Sequence, residues 1–591
     1  MKLSNMLKRF VAPAALAPLV LAAAFIFAVH FALVHWADVL YHDDPYLLHK
    51  VIDNEPNYYL TQNLFLFYRE TLYATMGLYS GYFLPKFLIL LQAVLVSVVF
   101  YFVARRTFRF SKITAAVGAI LPWVLPIQAQ IFFSVNSSYV VLDVLFIGVA
   151  FLLIDNAYRN KHFTLPFVLL LALLIAFTHA DRLAFGYMPL PLLFFGYQRW
   201  SELKHRWWRV LAVLAAVGAA AFYSYLPTAA IRQSYIDKSG LSPSLDPAAF
   251  LNELAAMFGY MSPYVGSHIV NQWFELYALG AVITISIIVL AFVFAIANHG
   301  RAIGKDSQGR WLGMIGRALW LRDFRIMSMC LIGILYFFLF YTLGSAPQAR
   351  YVYPSSFFFG PMFAYVLVSV IHLMLARFVE LRFRHVAVGV LSAALLGAIV
   401  MRKEEHARAT HFPEVFLYNR VVSTIPPDQL SMLDGIVVHS KWTFIQHSGI
   451  PYLTWAKLWY AASRVYGRDV VMPRYGYVDS DNTCQAIFRG LTPADPWEAT
   501  QMNLERDKRY LFFRAETFNE ALVALPFVAN SDLQNSTFEV LDMSQTPTRV
   551  VLTATTQQGL IDAVTEAEID PTTIANMPEA GMTCLTPPPQ P

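Results

Sequence analysis

The strongest constraint on this chain is a series of apolar runs, each long enough to cross about 30 Å of hydrocarbon. They recur down to about residue 401, in a chain of 591 residues of which 57% are hydrophobic and 14% charged. A soluble fold cannot bury that much apolar surface, so the sequence predicts a polytopic α-helical membrane protein. We predict about eleven transmembrane helices, near residues 11–36, 84–104, 113–133, 139–155, 163–177, 183–198, 209–228, 276–297, 326–344, 351–374 and 386–401.

The first apolar run has two possible interpretations. Lys2, Lys8 and Arg9 precede it, as in the positive region of a signal peptide. Its apolar stretch exceeds the usual 7–15 residues, and no clear small-x-small cleavage site follows, so the pattern favours an uncleaved helix.

The distribution of basic residues predicts the orientation of the helices. The N-terminus and every second connection together carry 22 Lys and Arg, whereas the alternate connections carry 6. Basic residues accumulate in cytoplasmic loops, so we predict a cytoplasmic N-terminus and outward loops at 38–83 and 229–275. An odd number of spans also places the chain after residue 401 outside.

The segment 402–591 differs in composition from the apolar runs that precede it. This difference predicts a separate globular domain outside the membrane, in the periplasm. It is polar, and "DGIVVHS", "KRYLFFRA" and "TRVVLTATT" have the alternation of strands, whereas residues 451–467 have the pattern of an amphipathic helix. The predicted class is α+β. Cys484 and Cys584 both lie in this segment. In an oxidising periplasm they could form a disulfide, and the alternative is two unpaired thiols.

The first outward loop opens with the sequence "HDDP", which places two carboxylates just after the first span. Asp44 before Pro45 is typical of a helix start, because the carboxylate caps open N–H groups and proline fits the first turn. Asp43 has no such local role, so we consider it a candidate for chemistry. The loop 229–275 contains a second Asp-Pro pair, Asp246 and Pro247, which predicts the start of another amphipathic helix.

Further polar residues concentrate at the predicted outward ends of the spans. Asp143 lies within the fourth span, where a carboxylate is costly unless it faces water or a partner. His30 and His35 are more typical of interior packing. The remaining candidates for an outward cavity are His42, His179, Asp181, Arg182, Arg232, Arg350 and Tyr351.

The topology, together with "HDDP" and with "RYVYP" at 350–354, resembles the GT-C superfamily of membrane glycosyltransferases, which includes protein mannosyltransferases, aminoarabinose transferases and arabinofuranosyltransferases. The resemblance covers residues 1–401. It implies transfer of a sugar from a polyprenyl-phosphate donor to an envelope glycan, lipid or protein, on the outer side of a bacterial cytoplasmic membrane. The chain lacks the "WWDYG" stretch of oligosaccharyltransferases and the Asp-Glu pair usual in protein mannosyltransferases. The resemblance therefore does not identify the acceptor.

The resemblance also implies roles for the candidate residues. Asp43 would be the general base in an inverting transfer, and Asp44 would share that role or bind a divalent cation with it. Arg350, Arg182, Arg232 and Tyr351 would hold the donor phosphate. No cofactor and no metal are expected, because the sequence has no dense cluster of carboxylates. An O-antigen polymerase or ligase, and a transporter or flippase of lipid-linked glycans, remain as alternatives.

Overall fold

The computed structural model describes two parts of the chain, a set of helices and a set of strands. In the helical part it describes residues 3–36, 81–125, 138–159, 247–263, 273–303, 322–342, 352–376 and 378–416, with scattered single positions between 75 and 222. The described helices are α1 (Leu3–Trp36), α2 (Phe83–Phe102), α3 (Lys112–Val124), α4 (Ser138–Arg159), α5 (Pro247–Tyr260), α6 (Trp273–Ile303), α7 (Arg322–Thr342), α8 (Tyr353–Leu375) and α9 (Leu381–Phe416).

Eight of the eleven predicted runs coincide with these helices. By length and composition, four segments of the described chain are sufficient to cross a membrane: Phe83–Thr107, Leu279–Ala297, Tyr353–Leu375 and Phe383–Met401. These segments support a membrane protein built from helices. The total of eleven stays a prediction, because 183–198 lies outside the described residues and only a few helical positions, single or in pairs, are described within 163–177 and 209–228.

The third run is shorter than predicted. The sequence pattern extended it over 113–133, but α3 ends at Val124, where Leu125 turns to an extended conformation. Ser111 caps its start, since the Thr114 N–H donates to Ser111 Oγ at 3.1 Å. Pro122 lies inside the helix, and Pro126 follows its end, so the chain contains a local reason to stop there.

Helix α8 lies at the centre of the helical bundle. Every residue from Tyr353 to Ala364 is buried, so its first three turns are enclosed on all sides. It packs against α3, α6 and α7. Gly118 of α3 and Gly360 of α8 allow the two backbones to touch, because a Cβ atom at Gly360 would collide with the Gly118 carbonyl oxygen.

The start of α8 and the end of α3 lie at a similar depth in the bundle. The two helices are antiparallel, because Phe110 packs on Tyr365 at 6.1 Å between ring centroids while Gly118 meets Gly360. Phe357 packs on Phe100 at 4.5 Å, and Phe100 lies about 25 Å along α2 from Phe83. Helix α8 therefore contacts the last turn of α2 as well as α3.

At the opposite end of α2 the chain makes a tight turn into α3. A π-helical turn, Val103–Thr107, continues α2, and the Phe108 N–H donates to the Val103 carbonyl at 3.1 Å. The Arg105 guanidinium donates to the Phe110 carbonyl. Arg322, the first residue of α7, donates to the Arg109 carbonyl at 2.6 Å, which ties α7 to this turn.

The described strands form one mixed sheet of eight: β1 (Gly435–His439), β2 (Arg474–Asp479), β3 (Asn482–Arg489), β4 (Ala499–Asn503), β5 (Tyr510–Ala515), β6 (Phe538–Asp542), β7 (Arg549–Ala554) and β8 (Ala575–Asn576). Their order is β4-β3-β2-β1-β5-β6-β7-β8. β1 pairs in parallel with β2 and β5, and the other described pairs are antiparallel.

The three predicted strands are confirmed as β1, β5 and β7. Because β1 and β2 are parallel, the connection 440–473 must return the chain to the same end of the sheet. The predicted amphipathic helix at 451–467 falls in this connection, outside the described residues. Helix α9 continues to Phe416, so the predicted boundary at 401/402 falls within a helix, and the division into domains 1–401 and 402–591 stays a prediction.

Candidate functional site

Both ends of the connection that carries Asp43 and Asp44 are attached at one end of the bundle. Phe31, near the end of α1, packs on Phe83 at 5.5 Å and on Phe87 at 5.7 Å, in the first turns of α2. The end of α1 therefore lies against the start of α2. Asp43 is seven residues beyond the last residue of α1, which limits it to about 25 Å from that helix end. We refer to this end as the acid-pair end.

A buried lysine lies at the acid-pair end. Lys86, in the first turn of α2, is 0% exposed. Its Nζ lies 6.0 Å from the centroid of the Tyr82 ring, and Tyr82 is buried as well. The turn before the helix begins with Gly81, whose φ of 87° suits glycine, and the Lys86 N–H donates to the Tyr82 carbonyl at 3.2 Å. An ionisable side chain buried inside an apolar span is rare, so Lys86 marks a candidate site.

The sequence pattern missed Lys86, because one lysine hardly changes the mean hydropathy of a long apolar window. A usable signal was present. Lys86 is the one charged residue between Glu70 and Arg105, and it stands in the first turn of a span. An ionisable residue inside a predicted span is a candidate for function by default.

The "RYVYP" stretch enters α8. Tyr353 is the first residue of the helix and is 0% exposed, and its ring packs on Phe357 at 5.1 Å. Its hydroxyl makes no hydrogen bond within the part of the chain that the structure describes. Arg350 and Tyr351 are attached directly to this helix start, through Val352, but lie outside the described residues.

His30 confirms the prediction of interior packing. It is 2% exposed, its Nδ1 lies 2.7 Å from the Ile26 carbonyl oxygen, and its ring contacts Trp123 of α3 at 5.9 Å. His35 lies in α1, but its side chain falls outside the description. His30 therefore joins α1 to the last turn of α3.

The other candidates depend on segments that the structure does not describe. Asp143 lies within α4, and nothing is described of its side chain. The structure therefore neither brings these residues together nor separates them. The candidates outside the described residues are His42, Asp43, Asp44, His179, Asp181, Arg182, Arg232, Arg350 and Tyr351.

A metal site among the described helices and strands would need a cluster of His, Cys, Asp or Glu side chains. No cluster of three or more His, Cys, Asp or Glu side chains with suitable geometry occurs in those residues. Asp43 and Asp44 lie outside them, so metal use stays a matter of prediction. Cys330 of α7 is a buried free thiol.

Comparison with known proteins gives limited information. No family model matches the chain, and no curated protein matches it. Among solved structures, the chain is similar to ArnT from Cupriavidus metallidurans, whose crystal structure is bound to undecaprenyl phosphate, with 10% identity and a TM-score of 0.38 over 78% of this chain and 92% of that one. A likeness at this level does not establish a shared fold or activity.

Proposed function

We propose that this protein is an inverting membrane glycosyltransferase of the GT-C type. It would move a sugar from a polyprenyl-phosphate donor to an envelope glycan, lipid or protein on the outer side of the cytoplasmic membrane. The observation that carries the proposal is the fully buried Lys86 at the acid-pair end of an apolar helical bundle. A cation and a pair of carboxylates at one end of the bundle are the groups that this transfer needs.

The proposed reaction is a single displacement. The acceptor hydroxyl oxygen attacks C1 of the sugar, the bond from C1 to the phosphate oxygen breaks, and polyprenyl phosphate leaves with that electron pair. Asp43 takes the hydroxyl proton as the new bond forms, which is general base catalysis. Because attack and departure occur on opposite faces of C1, the anomeric configuration inverts. Asp44 starts the following helix or shares the proton with Asp43.

Cations stabilise the phosphate that the sugar leaves behind. Lys86 supplies a compact charge from within the bundle, and Arg350 enters from the start of α8 with a planar fork that suits phosphate oxygens. Arg182, Arg232 and Tyr351 are further candidates from the outward segments. In this proposal the transfer uses side chains alone and requires no metal or cofactor.

The proposal is tested by supplying purified protein with a labelled polyprenyl-phosphate sugar and candidate acceptors in detergent. Transfer of label to an acceptor, with release of polyprenyl phosphate, supports the enzyme. If no donor is consumed and labelled lipid instead crosses the bilayer of sealed vesicles, the protein is a transporter or flippase and the proposal is wrong.

A Lys86→Met variant is expected to lower kcat/KM for the donor about a hundredfold or more, because loss of one partner of a desolvated charge pair is strongly unfavourable. Methionine nearly matches the lysine side chain in length, so the packing volume at position 86 is kept, and the midpoint of thermal unfolding beside that of the wild type checks that the variant is folded. Kinetics at varied donor concentration measure the effect.

The matched control is Lys112→Met, at the opposite end of the bundle, where the lysine is exposed. Its donor kinetics are expected to equal those of the wild type. If Lys86→Met were folded and as active as the wild type, Lys86 would have no place in the donor site.

A further inference from the structure

The centre of the sheet contains a point at which the chain connections diverge. Strand β1 lies between β2 and β5 and is parallel to both. From the carboxyl end of β1 the chain leads to β2 on one side, whereas from the carboxyl end of β5 it leads to β6 on the other side. Ligands of sheets with parallel strands bind outside the carboxyl ends of neighbouring strands whose connections diverge. The carboxyl ends of β1 and β5, which we call the β1–β5 edge, are therefore a candidate binding edge.

The strand register places four polar residues in one row at the β1–β5 edge. The pairing of β1 with β5 extends to the residues just before His439 and Arg514, so the register places these two residues side by side. Arg514 pairs with Glu539 of β6, and Glu539 pairs with Thr553 of β7. Residues paired in this way lie on the same face of a sheet. The polar row therefore contains an imidazole, a guanidinium, a carboxylate and a hydroxyl group.

The polar row differs from the next row of the same face. Residues two apart on a strand share a face, because side chains alternate between the two faces. Two residues away from the polar row along each strand lie Val437 of β1, Phe512 of β5 and Leu541 of β6. The face is therefore apolar within the sheet and polar at the β1–β5 edge. Small-molecule sites have this composition, since a few polar groups beside apolar residues fix the ligand.

The composition of the polar row favours an uncharged ligand with several hydroxyl groups. Arg514 supplies one positive charge and Glu539 one negative charge, so their formal charges cancel. A guanidinium only donates hydrogen bonds, an ionised carboxylate only accepts them, and imidazole and hydroxyl groups do both. Adjacent hydroxyl groups of a sugar can accept from the one and donate to the other. A phosphate would instead be repelled by the carboxylate.

We infer that the β1–β5 edge binds a neutral carbohydrate, through the juxtaposition of His439, Arg514 and Glu539. The choice of a carbohydrate rests in part on the proposed function, because that transfer needs an acceptor and the sheet follows the last predicted span. The inference selects the envelope glycan from the three acceptor classes. The sheet then holds the acceptor, while the helical bundle holds the lipid donor.

An oligosaccharide array tests the inference, with the full chain in a detergent that has no sugar headgroup. The array carries neutral and acidic bacterial oligosaccharides. The wild type is expected to retain neutral members, with an affinity that is nearly independent of salt, because the ligand forms no ion pair. Arg514→Gln is expected to lower this affinity about tenfold or more, because hydrogen bonds to charged groups are among the stronger ones.

The matched control is Arg549→Gln. Arg549 of β7 pairs with Asp542 of β6, which makes a second cross-strand pair of opposite charge. Asp542 also pairs with Leu511, so this second pair lies toward the amino end of β5, away from the β1–β5 edge. The control is expected to bind like the wild type. An equal loss in Arg514→Gln and Arg549→Gln would overturn the inference, because both pairs would then act only on the stability of the sheet.

A second variant covers the case in which Arg514→Gln does not fold. His439→Phe retains a ring but removes the hydrogen-bonding nitrogens, and it is expected to lower the affinity roughly fivefold, as for the loss of one neutral hydrogen bond. Unchanged affinity in a folded His439→Phe protein would contradict the inference. So would a preference of the wild type for acidic oligosaccharides that is lost at high salt.

Donor consumption, measured in parallel with a labelled polyprenyl-phosphate sugar, separates this inference from the proposed function. Retention of neutral oligosaccharides that Arg514→Gln weakens, without consumption of the donor, would support the inference and contradict the enzyme. Consumption of the donor by a chain that retains no neutral oligosaccharide would support the enzyme and overturn the inference.

Discussion

The Asp43→Asn variant is expected to lose sugar transfer by about 10²- to 10⁴-fold, while it still binds the donor. The amide has nearly the shape of the carboxylate and retains hydrogen bonding, but it cannot take the acceptor proton. The measurement is the single-turnover rate with labelled donor, together with donor affinity by a binding assay.

Two neighbouring variants separate catalysis from local structure. Asp44→Asn preserves the helix cap predicted at this position and is expected to keep most of the activity, since asparagine and aspartate cap about equally well. Asp246→Asn makes the same change in the other Asp-Pro pair, before Pro247 at the start of α5, and is expected to leave transfer unchanged. A folded Asp43→Asn protein with wild-type transfer rates would remove Asp43 from the mechanism.

The Gly360→Ala variant is expected to destabilise the bundle by about 3 kcal/mol, a typical upper value for overpacking a core. The new Cβ atom would lie against the backbone carbonyl oxygen of Gly118, and backbone cannot turn aside as a side chain can. Helices α3 and α8 must therefore separate, which disturbs the start of α8. The midpoint of thermal unfolding in detergent, and the yield of monodisperse protein, measure the loss.

The same structure gives an ordered series of controls. Gly118→Ala is expected to be milder, because its Cβ would stand 3.0 Å from the Pro361 nitrogen, a tight contact that a small shift relieves. Gly397→Ala in α9 meets nothing within 4 Å and is expected to be neutral or slightly stabilising, since alanine favours helix over glycine. A Gly360→Ala protein as stable as Gly397→Ala would contradict the close contact between α3 and α8.

Local chemistry explains why many helix limits could be predicted. Pro247 begins α5 where the Asp-Pro pair predicted a helix. The alternation of β-branched and aromatic residues predicted β1, β5 and β7, because side chains on a strand point to opposite faces in turn. The end of α3 was less predictable, because hydropathy continues past Val124 and only the nearby prolines indicate a stop.

The candidate site was predictable only in part. An acid pair after the first span is visible in the sequence, and the contact of the end of α1 with the start of α2 places both ends of its connection near Lys86. Lys86 itself was not predicted as a site residue, because one lysine hardly changes the mean hydropathy of a long apolar window. The burial of Tyr353 was also not evident, because "RYVYP" identifies a helix start but not its depth among other helices.

The sequence by itself determined that this chain forms apolar helices with a strong asymmetry of charge, that an acid pair follows the first of them, and that strands follow the last. These properties depend on local composition and spacing, which act within one segment. Only the tertiary structure decided that Lys86 is enclosed and that α8 begins at the level where α3 ends. Both depend on which helices meet and how closely their backbones approach, as at Gly118 and Gly360. Side chains far apart in the chain determine that contact, so no single segment encodes it.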